Sequence, residues 1–445
     1  MTQLSIEQQR AQLEQAVSIA LEEANKLGVS AAEVAISKQQ GLSVSTRMGE
    51  VETVEFNKDG ALGISLYREG RKGNASTSDL SEQAIVDAVR AADGIAKYTT
   101  ADKFNGLADA ELMAKTLPDL DLYHPHELSP EHGIELAAAC EQAALDSGKV
   151  SMSDGASCNS HSGIKVYGNS HGFLGSYASS RHSLSVVLIG KDELGMERDY
   201  DYSVSRYFSK LNTPESLGLK AADKVAARLG ARKINTCKVP VLFSAETATG
   251  LIGHLVGAIS GSALYRESSF LMNSLGTQIL PSWFNIQENP HMMGGLSSAP
   301  FDGEGVATSK RDIVADGILQ SYLLTAYSSR RLGMTTTGHA GGIYNWQVEA
   351  NGGDLESMLK QLGTGLYVTE LMGQGVNTVT GNYSRGAAGF WVENGVIQYP
   401  VHEITIAGNL KQMYQELVMV GTDRDPRSSI GIGSVLLSEM KVAGS

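Results

Sequence analysis

An internal repetition in the first half of this 445-residue chain restricts its fold more than any other feature. Each unit opens with a helix signal: Ser5 with Gln8 at the capping-box position, then Ser129 with Pro130 at the first helical position. Apolar residues then alternate with polar ones and predict strands. The predicted strands cover residues 42–47, 51–56, 62–67, 163–167, 172–177 and 183–189. A second helix closes each unit, at about 82–97 and 213–229.

A short motif appears in both units between predicted strands. The pattern Asn-x-x-Gly-x-Leu-Gly starts at Asn57 in the first unit and at Asn169 in the second. Because the motif recurs at the same place within each unit, we interpret it as a sign that a helix–strands–helix module is duplicated. Coincidental similarity of two turn motifs is the alternative.

Hairpin signals dominate the second half of the chain. Asp316-Gly317 and Asn394-Gly395 each stand between two apolar strand-like segments, as is typical of two-residue hairpins. Helices are expected around 247–260 and 355–362, packed on a sheet. The pattern predicts an α+β protein, with a duplicated helix–strands–helix half followed by a mostly β domain with packed helices. The predicted domains are residues 1–117, 118–236 and 237–445.

Composition and charge argue against several classes of function. The net charge is −13 and no basic run occurs, so we expect no direct binding of nucleic acid, which depends on clustered Lys and Arg. The chain shows no secretory signal pattern and no apolar window of about 18 residues, so we expect no membrane span. Three cysteines, odd in number and widely spaced, predict no disulfide framework or zinc cluster. A cytoplasmic protein is expected.

Residues 246–261, ETATGLIGHLVGAISG, predict an apolar, glycine-rich helix with one histidine, His254. A zinc hydrolase needs two imidazoles on one helix face and a carboxylate that takes a proton from bound water. Neither a second histidine nor a glutamate stands at ligand spacing from His254. Two interpretations stay open: an ordinary core or interface helix, or a helix derived from a catalytic one that now serves a partner.

Three other segments contain residue types that could carry chemistry. The stretch PDLDLYHPHE at 118–127 has a His-x-His pair that can suit a metal, but its prolines favour a linker between the two units. Cys158 and His161 could form a thiol–imidazole pair, although no motif supports a nucleophile there. Residues 265–269, YRESS, have no recognised catalytic spacing and are interpreted as a solvated loop.

Two glycine-rich segments allow a polypeptide backbone to approach closely. Residues 338–342, GHAGG, lack the strand–loop–helix context of a phosphate-binding loop, so nucleotide binding is poorly supported. Residues 373–389, GQGVNTVTGNYSRGAAG, could pair with an extended peptide as an added strand. A turn-rich β-meander is the alternative for this segment.

Several long stretches identify a resemblance over nearly the whole chain. They are VSTRMGEVETVEFNKDGALGISLY, ATGLIGHLVGAISG, TGHAGGIYNW, TELMGQGVNTVTGNYSRGAAGFWVENG and EITIAGNL. Through them the sequence closely resembles the TldD/PmbA family, once described as modulators of DNA gyrase, and within it the TldE (PmbA) branch. The resemblance implies a cytosolic, heteromeric protease in which TldD-type chains carry zinc through a His-Glu-x-x-x-His helix and a later cysteine.

Laid against that zinc pattern, this chain lacks the metal ligands. The His-Glu pair falls on Gly253 and His254, the final histidine falls on Ala258, and the cysteine region falls on residues 423–432, which contain no cysteine. We therefore predict no catalytic residue and no metal or other cofactor in this chain, with zinc in the partner. The residues predicted to contact peptide are His254, His339, Asn382, Tyr383, Ser384 and Arg385.

The resemblance implies a non-catalytic subunit that pairs with a TldD-type protease and helps to enclose a channel for unfolded or extended peptides. Peptide precursors and antitoxin-like proteins are the implied substrates. Two alternatives stay open: a peptide-binding or regulatory module without proteolysis, and an autonomous hydrolase that uses His254 or His339. A homodimer of the isolated chain is also compatible with its glycine-rich β surfaces and apolar helix.

Overall fold

The computed structural model describes residues 5–444 and confirms the α+β class with a duplicated first half. Each unit follows the order helix, three strands, helix. The helices of this half are α1 (Ile6–Lys26), α2 (Glu82–Tyr98), α3 (Pro130–Asp146) and α4 (Pro214–Arg228). The strands are β1 (Ala31–Arg47), β2 (Glu50–Arg68), β3 (Arg71–Thr77), β4 (Met152–Asn169), β5 (Leu174–Lys191) and β6 (Met196–Ser205). Short 3-10 turns lie at Ala110–Leu112 and Phe208–Lys210.

The two units share one antiparallel sheet. Its strand order is β3-β2-β1-β4-β5-β6, and the units join where β1 pairs with β4, from Glu33 opposite Asn169 to Thr46 opposite Ala156. One face of the sheet is covered by α1 and α2 at one end and by α3 and α4 at the other. Because the two units share this sheet, the structure does not divide them into separate domains. The predicted domain boundaries therefore stay a prediction.

The helix starts follow from local capping chemistry. Ser5 and Gln8 form the predicted capping box of α1. Ser129 and Thr213 each accept a backbone N–H in the first turn of a helix that has proline at its start, α3 and α4 respectively. These capped starts are the elements that local sequence specifies most directly.

The Asn-x-x-Gly-x-Leu-Gly motif does not lie at equivalent positions of the two units, so the prediction that it does is wrong. Residues 169–175 make the turn between β4 and β5, with Gly172 at φ 86°. The matching residues of the first unit lie inside β2, where Gly60 pairs with Lys38 of β1. The predicted strands 51–56 and 62–67 are therefore one strand, because backbone pairing with β1 continues through the polar residues between them.

The second half is rich in strands, as predicted. Its strands are β7 (Cys237–Phe243), β8 (Ile286–Glu288), β9 (Arg311–Ala315), β10 (Ile318–Leu319), β11 (Trp346–Val348), β12 (Gly365–Met372), β13 (Asn382–Glu393), β14 (Val396–Asn409), β15 (Leu417–Val420), β16 (Ile430–Gly431) and β17 (Val435–Ala443). Its helices are α5 (Ala245–Ala258), α6 (Gly261–Tyr265), α7 (Ala326–Leu332), α8 (Leu355–Leu362) and α9 (Leu410–Gln415).

These strands form two sheets around a common core. One has the order β10-β9-β8-β11-β16 and the other β14-β13-β12-β7-β17-β15. Both predicted hairpins are confirmed: Asp316 and Gly317 have φ of 50° and 74°, and Asn394 and Gly395 have φ of 53° and 74°. Positive φ at both central residues is the requirement of the type I′ turn, which Asn-Gly and Asp-Gly meet at low cost.

Helix α5 packs against this core and connects directly to the central strand β7. Leu251, Ile252 and Leu255 are fully buried in the same cluster as Trp346 and Phe284. None of the helices within residues 5–444 is both long and apolar enough to cross a membrane.

Candidate functional site

Helix α5 begins two residues earlier than predicted because Ser244 is its cap. The Ser244 hydroxyl accepts a hydrogen bond from the backbone N–H of Thr247 at 3.3 Å. From there the helix runs to Ala258, which is fully buried. The Ser269 hydroxyl donates to the Ala258 carbonyl at 2.6 Å. Ala258, the position of the family's second histidine, is therefore a tightly packed core position.

The other face of α5 carries a row of glycines. Gly250, Gly253 and Gly257 are three and four residues apart, which places them on one side of the helix. A methyl group added at any of the three would meet no atom of the described residues within 4 Å beyond its chain neighbours and the adjacent helix backbone. This face is therefore open, and its backbone can be approached closely by another polypeptide.

His254 lies beside this glycine row and packs against strand β13. Its ring makes an edge-to-face contact with Tyr383, with ring centroids 5.9 Å apart. Burial, together with the nearby Arg385 cation, lowers the pKa of His254 below its usual value, so the imidazole is neutral at pH 7. Its Nε2 is buried and makes no hydrogen bond within the described residues. In this position the neutral imidazole packs against an aromatic ring.

Strand β13 divides the predicted peptide-contact residues between its two faces. Asn382 and Ser384 are exposed, whereas Tyr383 is buried and Arg385 is half-buried. Burial raises the pKa of Tyr383 to about 12, against the opposing effect of the Arg385 charge. An Arg385 Nη2 donates to the Leu371 carbonyl at 3.4 Å, while its Nε has no partner in the described chain. His254, Tyr383 and Arg385 thus form one cluster, and Asn382 and Ser384 face outward beside it.

His339 lies apart from that cluster. Its Nε2 is 2.9 Å from the Glu288 carboxylate and its Nδ1 is 2.8 Å from the Thr337 hydroxyl, with the side chain almost fully buried. The ring also borders a pocket of about 260 Å³ next to Val256 and the C-terminal end of α5. Both ring nitrogens already have partners within the fold, which gives His339 a structural role, and its predicted contact with peptide stays a prediction.

Residues 423–432 carry an ion-pair network near the start of α5. The Arg427 guanidinium contacts Asp201 at 2.8 Å, Asp425 at 2.7 Å and Glu246 at 3.3 Å. Asp201 is fully buried at the end of the first sheet, so these pairs join the two halves of the molecule. The arrangement holds the loop against α5.

A large cleft opens beside this network, between the first sheet and the second half. Its volume is about 1060 Å³. The walls come from β6, α4, the first turns of α5, β12, β13 and residues 423–427. Glu246, Gly250 and Arg385 all border it. Sequence patterns gave no sign of this cleft, because its walls come from segments up to about 230 residues apart.

A group of half-buried acids lies where the first sheet meets the second half. Glu33 accepts hydrogen bonds from Tyr67 at 2.8 Å and from Tyr167 at 3.0 Å. Nearby Glu304 accepts one from the backbone N–H of Ala326 at 2.8 Å. Burial, with added repulsion from neighbouring carboxylates, raises the pKa of Glu304 to about 7. This carboxyl group therefore changes charge near neutral pH.

The remaining candidate groups do not come together as sites. His124 stacks on Tyr207 and His126 on Phe208, with centroids 3.9 and 3.8 Å apart, so the predicted linker packs on the second unit. Cys158 is fully buried, and burial raises the pKa of its thiol to about 11. His161 lies on the other face of β4 and bonds the Ser43 hydroxyl at 3.1 Å.

The positions of the zinc pattern do not fit a zinc ion. Glycine and alanine have no donor atom, and the loop at 423–432 offers acids and arginine in place of a thiolate. Across residues 5–444, no three His, Cys, Asp or Glu side chains are grouped as metal ligands would be.

Family models match most of the chain. The models described as PmbA/TldA metallopeptidase domain 1, central domain and C-terminal domain match residues 32–96, 123–229 and 236–444. Metalloprotease PmbA of Escherichia coli O157:H7 is 59% identical over 440 residues, which are 99% of this chain and 98% of that protein. A PmbA homologue of Haemophilus influenzae is 57% identical over 98% of this chain and 97% of its own length.

Solved structures share the fold along almost the entire length. A protein of Bacteroides thetaiotaomicron described as a modulator of DNA gyrase superposes with a TM-score of 0.91 at 28% identity, over 97% of this chain and 99% of that one. TldE of Thermococcus kodakarensis superposes with a TM-score of 0.83 at 20% identity, over 96% and 100%. At that identity the second likeness concerns the fold alone.

More distant relatives include metalloproteases named TldD homologues. Haemophilus influenzae has one that is 23% identical over 206 residues, and Buchnera aphidicola has one that is 20% identical over 256 residues. Both organisms also have a PmbA homologue, at 57% and 46% identity to this chain. Chains of the two kinds therefore occur in the same organism.

Proposed function

The chain belongs to the PmbA/TldD family of metallopeptidases, and on that premise we propose that it is the non-catalytic, TldE-type subunit of a two-chain protease. The observation that carries the proposal is the side-chain chemistry of α5. Gly253 and Ala258 supply no metal donor, and His254 is a neutral imidazole packed on Tyr383. The metal chemistry is assigned to a TldD-type partner, and this chain needs no cofactor of its own.

The proposed task of this chain is to hold an extended peptide beside the partner. The open glycine face of α5 allows a backbone to approach closely, and the exposed side chains of Asn382 and Ser384 offer hydrogen bonds on the outer face of β13. The charged cleft between the two halves continues from the start of this helix. Only an unfolded or extended segment could lie along such a surface, which suits peptide precursors and antitoxin-like substrates.

The proposed compartment is the cytoplasm. The three cysteines are free, and Cys140 and Cys158 are buried as thiols within the first half. Unpaired buried thiols suit a reducing environment.

The test is cleavage of an unstructured, fluorophore-labelled peptide by three samples: this chain, a TldD-type chain from the same organism, and their mixture. We expect the two chains to co-purify and hydrolysis to require the mixture. Hydrolysis by the isolated chain would overturn the proposal. Stable binding of the peptide, with no hydrolysis by any sample, would favour the peptide-binding module.

The variant His254→Ala separates this proposal from an autonomous hydrolase. In the mixture, His254→Ala should leave kcat within about twofold, because the imidazole packs in the fold and takes no part in bond cleavage. Complete loss of kcat, with unchanged folding and co-purification, would assign catalysis to His254.

A further inference from the structure

A separate cavity of about 660 Å³ lies between the first sheet and the second half, and it shares no lining residue with the large cleft beside α5. Its floor includes small side chains of β1 and β2, namely Ala35, Ser37, Ala61 and Gly63. They alternate along these strands with Val34, Ile36, Leu62 and Ile64, which pack in the same cluster as α1 and α2. The cavity therefore lies on the sheet face opposite those helices, where small residues leave room above the strands.

Aromatic side chains form the walls of this cavity. Tyr177 of β5 and Phe301 meet edge to face, with ring centroids 5.5 Å apart, and Tyr344 lines the side that belongs to the second half. The hydroxyls of Tyr177 and Tyr344 make no hydrogen bond within residues 5–444, and neither oxygen is shut off from solvent. Burial raises the pKa of both phenols, so each keeps its proton. Two hydrogen-bond donors are therefore free at the cavity.

Two cations at the cavity have no carboxylate partner among the described residues. Arg206 is only 9% exposed, and its guanidinium donates to the carbonyls of Ser180 at 2.9 Å and Leu296 at 2.7 Å, while its Nε has no partner in residues 5–444. Carbonyl oxygens fix the guanidinium but do not neutralise its charge. Lys165 is exposed beside Tyr177 in a cross-strand pair and forms no ion pair in the same part of the chain.

The acid on the cavity wall, Asp302, is already bonded to the backbone of the second half. Its Oδ1 accepts the N–H groups of Glu304 and Val306, both at 2.9 Å, and its Oδ2 accepts that of Ala340 at 3.0 Å. Burial raises the pKa of this carboxyl group, which weakens its negative charge further. The cavity thus combines two unpaired cations and two free phenol donors with aromatic walls.

We propose that this cavity binds an organic anion, an aromatic or apolar body that carries one carboxylate. Lys165 and the two phenols contact the carboxylate, and the fixed charge of Arg206 makes the wall positive. The body packs against Phe301 and over the small residues of the floor. A volume of about 660 Å³ suits a small ligand. A free organic acid and the C-terminal carboxylate of a peptide share this chemistry, and neither requires a protease partner, because all of these groups belong to this chain.

The first experiment compares two fluorescent probes on the full chain: anilinonaphthalenesulfonate, an aromatic anion, and phenylnaphthylamine, which has the same rings and no charge. Lys165→Met should weaken binding of the anion about threefold, and Lys165→Glu should weaken it more, while the neutral probe is unaffected. The control is Lys191→Met, which removes an exposed cation at the far end of β5 and should change neither affinity. Equal effects of Lys165→Glu on both probes, or no effect on the anion, would overturn the proposal.

A second pair of variants tests the location. Ala35→Phe fills the cavity from its floor and should abolish binding of the anion, because Ala35 is an exposed floor residue and phenylalanine is well tolerated in strands. Gln39→Phe places the same ring on the same face of β1, four residues away and outside the cavity lining, and should leave binding intact. Both variants should melt at the temperature of the wild type. Undiminished binding to folded Ala35→Phe would place the anion elsewhere and overturn the proposal.

Competition distinguishes the two sources of the carboxylate. The bound probe is challenged with N-acetylphenylalanine and its amide, and with an unstructured peptide that ends in phenylalanine, again as acid and amide. We expect the acids to displace the probe and the amides to fail. Displacement by the small acid alone assigns the cavity to free organic acids, whereas displacement by the peptide acid assigns it to peptide C-termini. Equal displacement by acids and amides, or none by either acid, would contradict a carboxylate site.

Discussion

Three positions of α5 show how much function depends on single residues. Gly253, His254 and Ala258 stand where the family's zinc pattern has two histidines and a glutamate. The lack of a donor at Gly253 and Ala258 could be recognised from sequence, because donor chemistry is a property of the residue itself. The neutral state of His254 could not, since it depends on burial and on Arg385, about 130 residues away in the chain.

Glu304 is another residue whose behaviour only the fold explains. Its pKa of about 7 lies above the ordinary value of 4.5, so the folded state binds this proton more tightly than the unfolded state. The free energy of unfolding therefore falls as the pH rises from 4.5 to 7, where the folded protein must hold a half-buried charge.

We predict that Glu304→Gln stabilises the protein at pH 8 by about 2 kcal/mol and changes stability least near pH 4.5. A glutamine oxygen can still accept the Ala326 N–H, so the hydrogen bond is preserved. Urea unfolding at the two pH values measures the difference. The control is Glu193→Gln in the exposed turn between β5 and β6. An equal gain at both pH values would contradict the raised pKa.

At the scale of elements, local signals predicted what local chemistry determines. The capped starts of α1, α3 and α4 and the two type I′ hairpins appear as predicted. Strand continuity was harder to predict. The polar residues 57–60 interrupt the apolar alternation but not β2, because pairing with β1 fixes the backbone while the side chains stay in solvent.

Adding methyl groups to the open glycine face of α5 should raise the stability of the chain and weaken its assembly with a partner or peptide. Gly253→Ala and Gly257→Ala should each stabilise the isolated chain by about 0.5–1 kcal/mol, because alanine reduces the freedom of the unfolded chain and the added methyl has room. The same methyl groups should weaken co-purification with a TldD-type chain or binding of peptide, since they occupy the approach to this face.

Two glycines elsewhere provide the controls. Gly94→Ala in α2 also adds a methyl in open space and should stabilise the chain without affecting assembly. Gly218→Ala in α4 should destabilise it, because its methyl would collide with the Cys140 carbonyl. Thermal melting and co-purification measure the two effects. Stabilised α5 variants with undiminished assembly and peptide binding would show that the glycine face contacts neither.

In the whole molecule, the features that could not be predicted from sequence are those that depend on contacts between distant segments. The duplicated order of elements was visible, but the shared sheet was not, because the pairing of β1 with β4 joins residues more than about 100 positions apart. The large cleft and the Arg427 network depend on the same long-range contacts. The predicted peptide contacts at Asn382 and Ser384, which are exposed on the outer face of β13, stay a prediction.

We propose that this chain supports proteolysis without holding the metal. The most direct test is elemental analysis of zinc in the purified chain, in a TldD-type partner and in their complex, after equal exposure to zinc and gel filtration. We predict about one zinc per partner chain, in the complex and in the partner, and none retained by this chain alone. Stoichiometric zinc on the isolated chain, lost in His254→Ala, would contradict the account.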